Sequence, residues 1–120
     1  MANKVVINLA TGLEDAERVT VAFLVGGAAL GQGKQVAMFL TKEAVRLGVP
    51  GYAEGVACDG CPPLGRFEQY VGGGGELLIC PICFNARKLE EAQLMDYARL
   101  AGATPLWEWI DPDDVTVFSY

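Results

Sequence analysis

Histidine is absent from the 120 residues. That lack excludes Ser–His and Cys–His catalytic pairs and every His metal ligand. Basic charge is scarce as well: nine Lys and Arg stand against fifteen Asp and Glu, giving a net charge of −6. A nucleic-acid-binding module needs a basic footprint to neutralise phosphates. Here the basic residues are scattered singly apart from Arg87-Lys88, so no direct nucleic-acid contact is expected. A partner protein that itself holds an RNA stays open. Long apolar runs are also missing. The longest, Val19 to Leu30, is interrupted by Thr20, Gly26 and Gly27 and falls far short of the ~20 residues a membrane-spanning helix needs. The opening Met1-Ala2-Asn3-Lys4-Val5 runs straight into a strand-like segment without a signal-peptide layout. The expectation is a cytoplasmic protein with no membrane partner.

What is present supports one folded domain over residues 1–120. Apolar residues make up 52% of the chain, enough side chain to offset ordering entropy and to exclude disorder as the main state. Lys4 to Ala10 (KVVINLA) is β-branched and almost continuously apolar, as a strand covered on both faces is. Thr11-Gly12 turns the chain. Glu14, Asp15 and Glu17 supply acid to the start of a helix that runs to about Leu30. It is apolar nearly all round, which predicts wide burial. Close approach of another backbone would account for its Gly26-Gly27 pair. Gln35 to Leu40 reads as a second strand and Lys42 to Leu47 as a short helix. A loop from Gly51 to Gly60 follows, then a helix over about Leu64 to Val71. Gly72 to Gly75 breaks the chain, and Glu76 to Cys80 (ELLIC) is a third buried strand.

Pro81 suits a first helical position, opening a helical region to about Met95, in one piece or two. Tyr97 to Leu100 reads as a strand. Thr104-Pro105 reads as an N-cap and first-turn proline before a helix from Leu106 to Ile110. Val115 to Tyr120 is the last strand. Alternating strands and helices predict an α/β domain, a three-layer α/β/α sandwich around a mostly parallel sheet of about five strands.

The chemistry concentrates in cysteine. Cys80-Pro81-Ile82-Cys83 sits where an apolar strand gives way to a helix, and sites in open α/β sheets gather at the carboxyl ends of strands. A thiol at a helix N-terminus meets the positive end of the dipole and unpaired N–H groups. Both favour thiolate, the reactive form. Cys80 is therefore the candidate nucleophile. The bland alternative is a small buried hydrophobe at a strand end. Arg87, about two turns on, either adds positive potential or is a solvated helix charge.

Cys58-Asp59-Gly60-Cys61 forms a second pair. The full spacing, C-x2-C, eighteen residues, then C-x2-C, fits a four-thiolate zinc site built from Cys58, Cys61, Cys80 and Cys83. Two features oppose a zinc ribbon: the second pair lies in a strand-to-helix transition, and the domain has core enough to fold without a metal. A dithiol redox pair, Cys80 with Cys83, is the third reading. A structural disulfide does not suit the expected compartment. Gly72 to Gly75 precedes a strand, whereas phosphate-binding glycine loops follow one, so it reads as a turn. Trp107 and Trp109, two apart on a short helix, point different ways: one suits core packing and the other a subunit contact. Asp111, Asp113 and Asp114 read as a solvated turn.

The run ELLICPICFNARKLEEAQL resembles the active-site segment of the DsrE/DsrF-like family of small sulfur-relay proteins. The opening VVINLATGLEDAERVTVAFLVGGAALGQGKQVAMFLTKEAV is similar to that family's first strand, long helix and second strand. The closing DYARLAGATPLWEWIDPDDVTVFSY is similar to its final strand, short helix and edge strand. The resemblance implies a compact three-layer α/β fold and assembly as a trimer or hexamer. It implies a sulfur carrier or sulfurtransferase that holds sulfur as a persulfide and exchanges it with donor and acceptor proteins, in tRNA thiolation or sulfur oxidation. No cofactor is required under that reading; zinc belongs to the four-cysteine alternative. The family's relay cysteine ends the strand before a CxxxxxR-like turn and matches Cys80. Cys83 stands where many members lack a cysteine, and Cys58 and Cys61 are not general to the family. Cys83 is then a candidate resolving thiol, with Cys58 and Cys61 as accessory thiols. Independently of the resemblance, the apolar C-terminal strand suggests a face buried on another copy.

Overall fold

The computed structural model describes residues 3–49, 52, 69–94 and 98–120. Its frame is set by the runs richest in β-branched and aliphatic residues. These are β1 (Lys4–Leu9), β2 (Gln35–Leu40) and β3 (Glu76–Ile79), joined by the shorter β4 (Ala98–Leu100) and by β5 (Val115–Ser119). They form one sheet in the order β4-β3-β2-β1-β5, with every pairing parallel. Val5 lies beside Val36 and Ile7 beside Met38. Leu9 lies beside Leu40, which lies beside Ile79. These residues point to one face and build the larger core cluster. The alternate positions Ala37, Phe39 and Leu78 point to the other face and pack with Ala101, Leu106 and Trp109. A parallel sheet covered on both faces follows from this double set of apolar positions.

Helix α1 (Ala16–Gly31) covers the larger core. The Asp15 side chain caps it, accepting from the Arg18 N–H at 3.1 Å, and Glu17 adds favourable charge in the first turn. Only one stripe is buried: Val19, Thr20, Ala22, Phe23 and Gly26. Val21 and Leu24 are exposed, so the wide burial expected from the apolar sequence does not occur. The helix has the sheet on one side and no further described layer on the other. Gly26 admits an aromatic ring rather than another backbone: a side chain there would meet the Tyr70 ring at 2.8 Å, whereas Gly27 faces nothing within 4 Å. Tyr70 belongs to a helical stretch at residues 69–72. It is fully buried, packs edge-on to Phe23 at 5.4 Å, and donates its hydroxyl to the Glu76 carbonyl at 2.7 Å. Burial pushes its phenol far above the ordinary range.

After β2, the short helix expected from Lys42 to Leu47 is a 3-10 helix, Lys42–Gly48, and it buries Ala44, Val45 and Leu47. Helix α2 (Pro81–Ala86) begins directly after β3, with Pro81 in its first turn. Its end is a Schellman arrangement. The Leu89 N–H reaches the Phe84 carbonyl, the Lys88 N–H reaches Asn85, and Lys88 takes the left-handed conformation at φ 57°. A separate 3-10 turn follows at Glu91–Gln93, so the helical region does fall into two pieces. Helix α3 (Ala103–Ile110) is capped from Gly102, with no side-chain cap. Thr104 is therefore inside the first turn and not the cap the sequence suggests. Pro105 is tolerated there because first-turn N–H groups have no helical partner. Lys4 ties α3 to the start of β1: its Nζ donates to the Trp109 carbonyl, pairs with Asp113 at 2.9 Å and sits 5.0 Å from the Trp109 ring centre. Among the described residues no helix is long and apolar enough to cross a membrane.

Candidate functional site

Because all five strands run the same way, their carboxyl ends share one edge of the sheet. Thr11-Gly12 leaves β1 there, Thr41-Lys42 leaves β2, and Cys80-Pro81 leaves β3. Cys80 belongs to both elements it joins. Its N–H donates to the Leu40 carbonyl at 3.0 Å, extending the ladder. Its own carbonyl accepts from the Phe84 N–H at 3.0 Å, opening α2. Cys80 is the N-cap residue, with extended backbone. Cys83 follows one helical turn later. Both are free thiols, half-buried against the larger core. Phe84 is buried, whereas Ile82, between the cysteines, is 81% exposed. The helix thus presents one thiol-bearing face to its neighbours and another face to solvent.

The neighbour is the 3-10 segment that follows β2. Lys42 takes a left-handed turn at φ 52°, and Glu43 follows it. Arg87 Nε donates to Glu43 Oε1 at 2.7 Å, and Arg46 Nε donates to Glu43 Oε2 at 2.9 Å. Arg87 also donates through Nη1 to the Cys83 carbonyl at 3.1 Å. The Arg87 hydrogen bond, above all, holds the Glu43 carboxyl below its ordinary range; partial burial opposes this and Arg46 reinforces it. On the far side, Gly12 closes against the same segment. A side chain at Gly12 would meet the Tyr52 hydroxyl at 2.5 Å and the Glu43 carbonyl at 2.9 Å. The Tyr52 hydroxyl accepts from the Leu13 N–H at 2.8 Å, and burial pushes its phenol upward.

The strand-to-helix junction therefore brings Cys80 and Cys83 together as the sequence suggests. Arg87 is a tethered charge rather than a freely solvated one: it is bound to Glu43 and to the Cys83 carbonyl. Cys58 and Cys61 lie outside the described residues. Among the described residues, no three His, Cys, Asp or Glu side chains are grouped to hold a metal ion. They supply two of the four thiols that a zinc site would need. Sequence reasoning misses Glu43, Arg46 and Tyr52. Glu43 lies 44 positions before Arg87, and nothing local in either segment signals the pairing. The Gly12 close approach leaves only a weak trace, a glycine after the first strand.

This arrangement has relatives. The model of the DsrE/DsrF-like family matches residues 3–118. An uncharacterized protein of Methanopyrus kandleri, MK0008, is 31% identical, over 85% of this chain and 82% of its own length. Among solved structures, the ychN protein from E. coli superposes with a TM-score of 0.75 at 18% identity, covering 98% of this chain and 99% of its own. MTH1491 from Methanobacterium thermoautotrophicum, described as a protein of unknown function, gives 0.66 at 11% identity, covering 95% and 97%. At such identities the structural likeness speaks for the fold alone.

Proposed function

This chain belongs to the DsrE/DsrF-like family, and from that membership we propose that it is a small cytoplasmic sulfur-relay protein with Cys80 as its sulfur acceptor. The observation that supports this is the placement of Cys80: a free, half-buried thiol on the residue that joins the carboxyl end of a buried strand to the start of α2. Such a position, at a strand-end turn, leaves the thiol within reach of a partner. In the forward step the Cys80 thiolate attacks the outer, sulfane sulfur of a donor persulfide R–S–SH. A new S–S bond forms at Cys80, the donor's own S–S bond to the transferred sulfur breaks, and R–S⁻ leaves. The reverse chemistry hands the sulfur to an acceptor thiolate. Cys83, one turn away, allows a second exit. Its thiolate attacks the Cys80 sulfur of the persulfide, HS⁻ leaves, and a Cys80–Cys83 disulfide forms. The dithiol is oxidised by two electrons and the sulfane sulfur is reduced.

The reading extends to partners. Donor and acceptor proteins exchange sulfur with Cys80, and the chain assembles with copies of itself as a trimer or hexamer. Trp107 is 66% exposed and Val117 56%, which supplies apolar surface for such contacts. Light scattering on the purified protein should give a mass above that of one chain, and a clean monomer removes this part. No cofactor is needed. The deciding experiment is intact-mass spectrometry with metal analysis on one fresh sample. After incubation with a sulfane donor, a gain of about 32 Da per loaded sulfur is expected, mapped to Cys80 and lost in Cys80→Ser. Stoichiometric loading of Cys80→Ser overturns the assignment. One zinc per chain with no accessible thiol replaces the relay with a site of Cys58, Cys61, Cys80 and Cys83, the alternative that the C-x2-C spacing favours.

A further inference from the structure

One carboxylate serves two guanidinium groups beside the thiols. Cys80, Cys83 and Arg87 recur at helical spacing, so they fall along one side of α2 and its cap. The 3-10 segment bearing Glu43 and Arg46 packs against α2. Among the described residues, the linked charged groups on and against this helix are Arg87 on its own element and Glu43 and Arg46 from the segment after β2. Tyr52 and Glu14 stand beyond them, at the end of β1. Arg87 has a second anchor, the Cys83 carbonyl. That bond ties the guanidinium to the backbone of the thiol-bearing helix independently of Glu43.

We propose that Glu43 is a specificity-determining residue of the thiol edge: by holding Arg87 and Arg46 on one carboxylate, it sets how strongly anionic sulfur donors are drawn toward Cys80 and Cys83. It rests on Cys80 being the reacting thiol. With Glu43 ionised, the trio has one net positive charge; with the carboxylate neutralised, it has two. Charges on the thiol-bearing helix and on the segment packed against it act on an anion approaching the thiols with a strength that falls with distance and with added salt. Glu43 thereby tempers the approach, admitting donors whose binding does not depend on a strongly cationic rim. Small dianionic reagents gain most when it is removed.

The test compares two disulfide reagents on the full chain, dianionic DTNB and neutral dithiodipyridine. Labelling is read at Cys80 and at Cys83 by peptide mass, so that Cys58 and Cys61 do not contribute. Both reagents need the thiolate, so their rate ratio cancels the thiolate fraction and reports the field on the approach. Glu43→Gln should raise the DTNB-to-dithiodipyridine ratio roughly threefold at low ionic strength, and molar salt should erase the gain. Arg87→Gln should lower the ratio, and the double variant should return near the parent value. If Glu43→Gln speeds both reagents equally, its role is to hold the segment in place, and the proposal is overturned. An unchanged ratio in a folded variant overturns it too. Arg87→Gln supplies the opposite sign should Glu43→Gln fail to fold. Sulfane loading of Cys80 is scored separately. A ratio that answers to Glu43 in a chain that never loads sulfur sinks the relay and keeps the electrostatic role; loading with an unresponsive ratio does the reverse.

Discussion

β3 and β5 are short, apolar strands of one parallel sheet, and their surroundings differ completely. Leu77, Leu78 and Ile79 of β3 are sealed between β2, β4 and the layers above and below. Val117 and Phe118 of β5 are exposed, on a strand that among the described residues pairs only with β1. The buried half holds Cys80 at its end, and the open half holds Trp107 and the sheet edge. Hydrophobicity along a strand therefore reports what it can bury; the neighbours decide what it does bury. A relay thiol gains from the first setting, which fixes its backbone on both sides, and a contact surface gains from the second.

The comparison breaks most visibly by truncation. Leu78→Ala should cost about 2–5 kcal/mol in denaturant unfolding, whereas Val117→Ala in the isolated chain should stay within about 0.5 kcal/mol. Equal effects would mean that β5 is covered in solution. Two adjacent glycines sharpen the contrast on a smaller scale. Gly26→Ala drives a methyl into the Tyr70 ring and should cost about 1–3 kcal/mol. Gly27→Ala meets only open space and should gain about 0.5–1 kcal/mol from helix propensity. Lys88→Gly relieves a left-handed lysine at the end of α2 and should raise stability by about 0.5–1 kcal/mol.

The smallest effect is the most pH-dependent. The folded Glu43 carboxyl titrates below its ordinary range, so its contribution is present above that range and fades as the pH falls through the lowered value. Urea midpoints of the parent should exceed those of Glu43→Gln at neutral pH, and the difference should close in strong acid. The residue is more than a third exposed, which keeps the difference small. A gap that persists in acid would mean that the charge is not its source.

The framework was legible where local pattern and tertiary environment agree. The β-branched run of β1, the Gln35–Leu40 strand and the Cys80-Pro81 junction all state their structure in a few consecutive residues. Patterns that depend on a distant neighbour were not legible. The exposure of Val21 and Leu24 depends on what lies outside α1, and the Gly26 notch on a tyrosine arriving from residues 69–72. At the site the thiols announced themselves by spacing. The Glu43–Arg87 bond joins two residues unremarkable in their own segments, and only the packing of α2 on the segment after β2 creates it. The left-handed Lys88 occupies a position where glycine would have signalled the helix end.

The strand order has a consequence during synthesis. β1 pairs with β2 on one side, but its other edge waits for β5, with Lys4 facing Val115 and Asn8 facing Ser119. β1 is thus closed by β5, which follows every other described strand in the chain. Until Val115–Ser119 emerges, β1 offers a bare row of backbone donors and acceptors, the kind of edge that recruits stray strands. Nascent chains stalled after α3 should need a holding chaperone more than those in which β5 has emerged, because long-range pairing of this sort forms late.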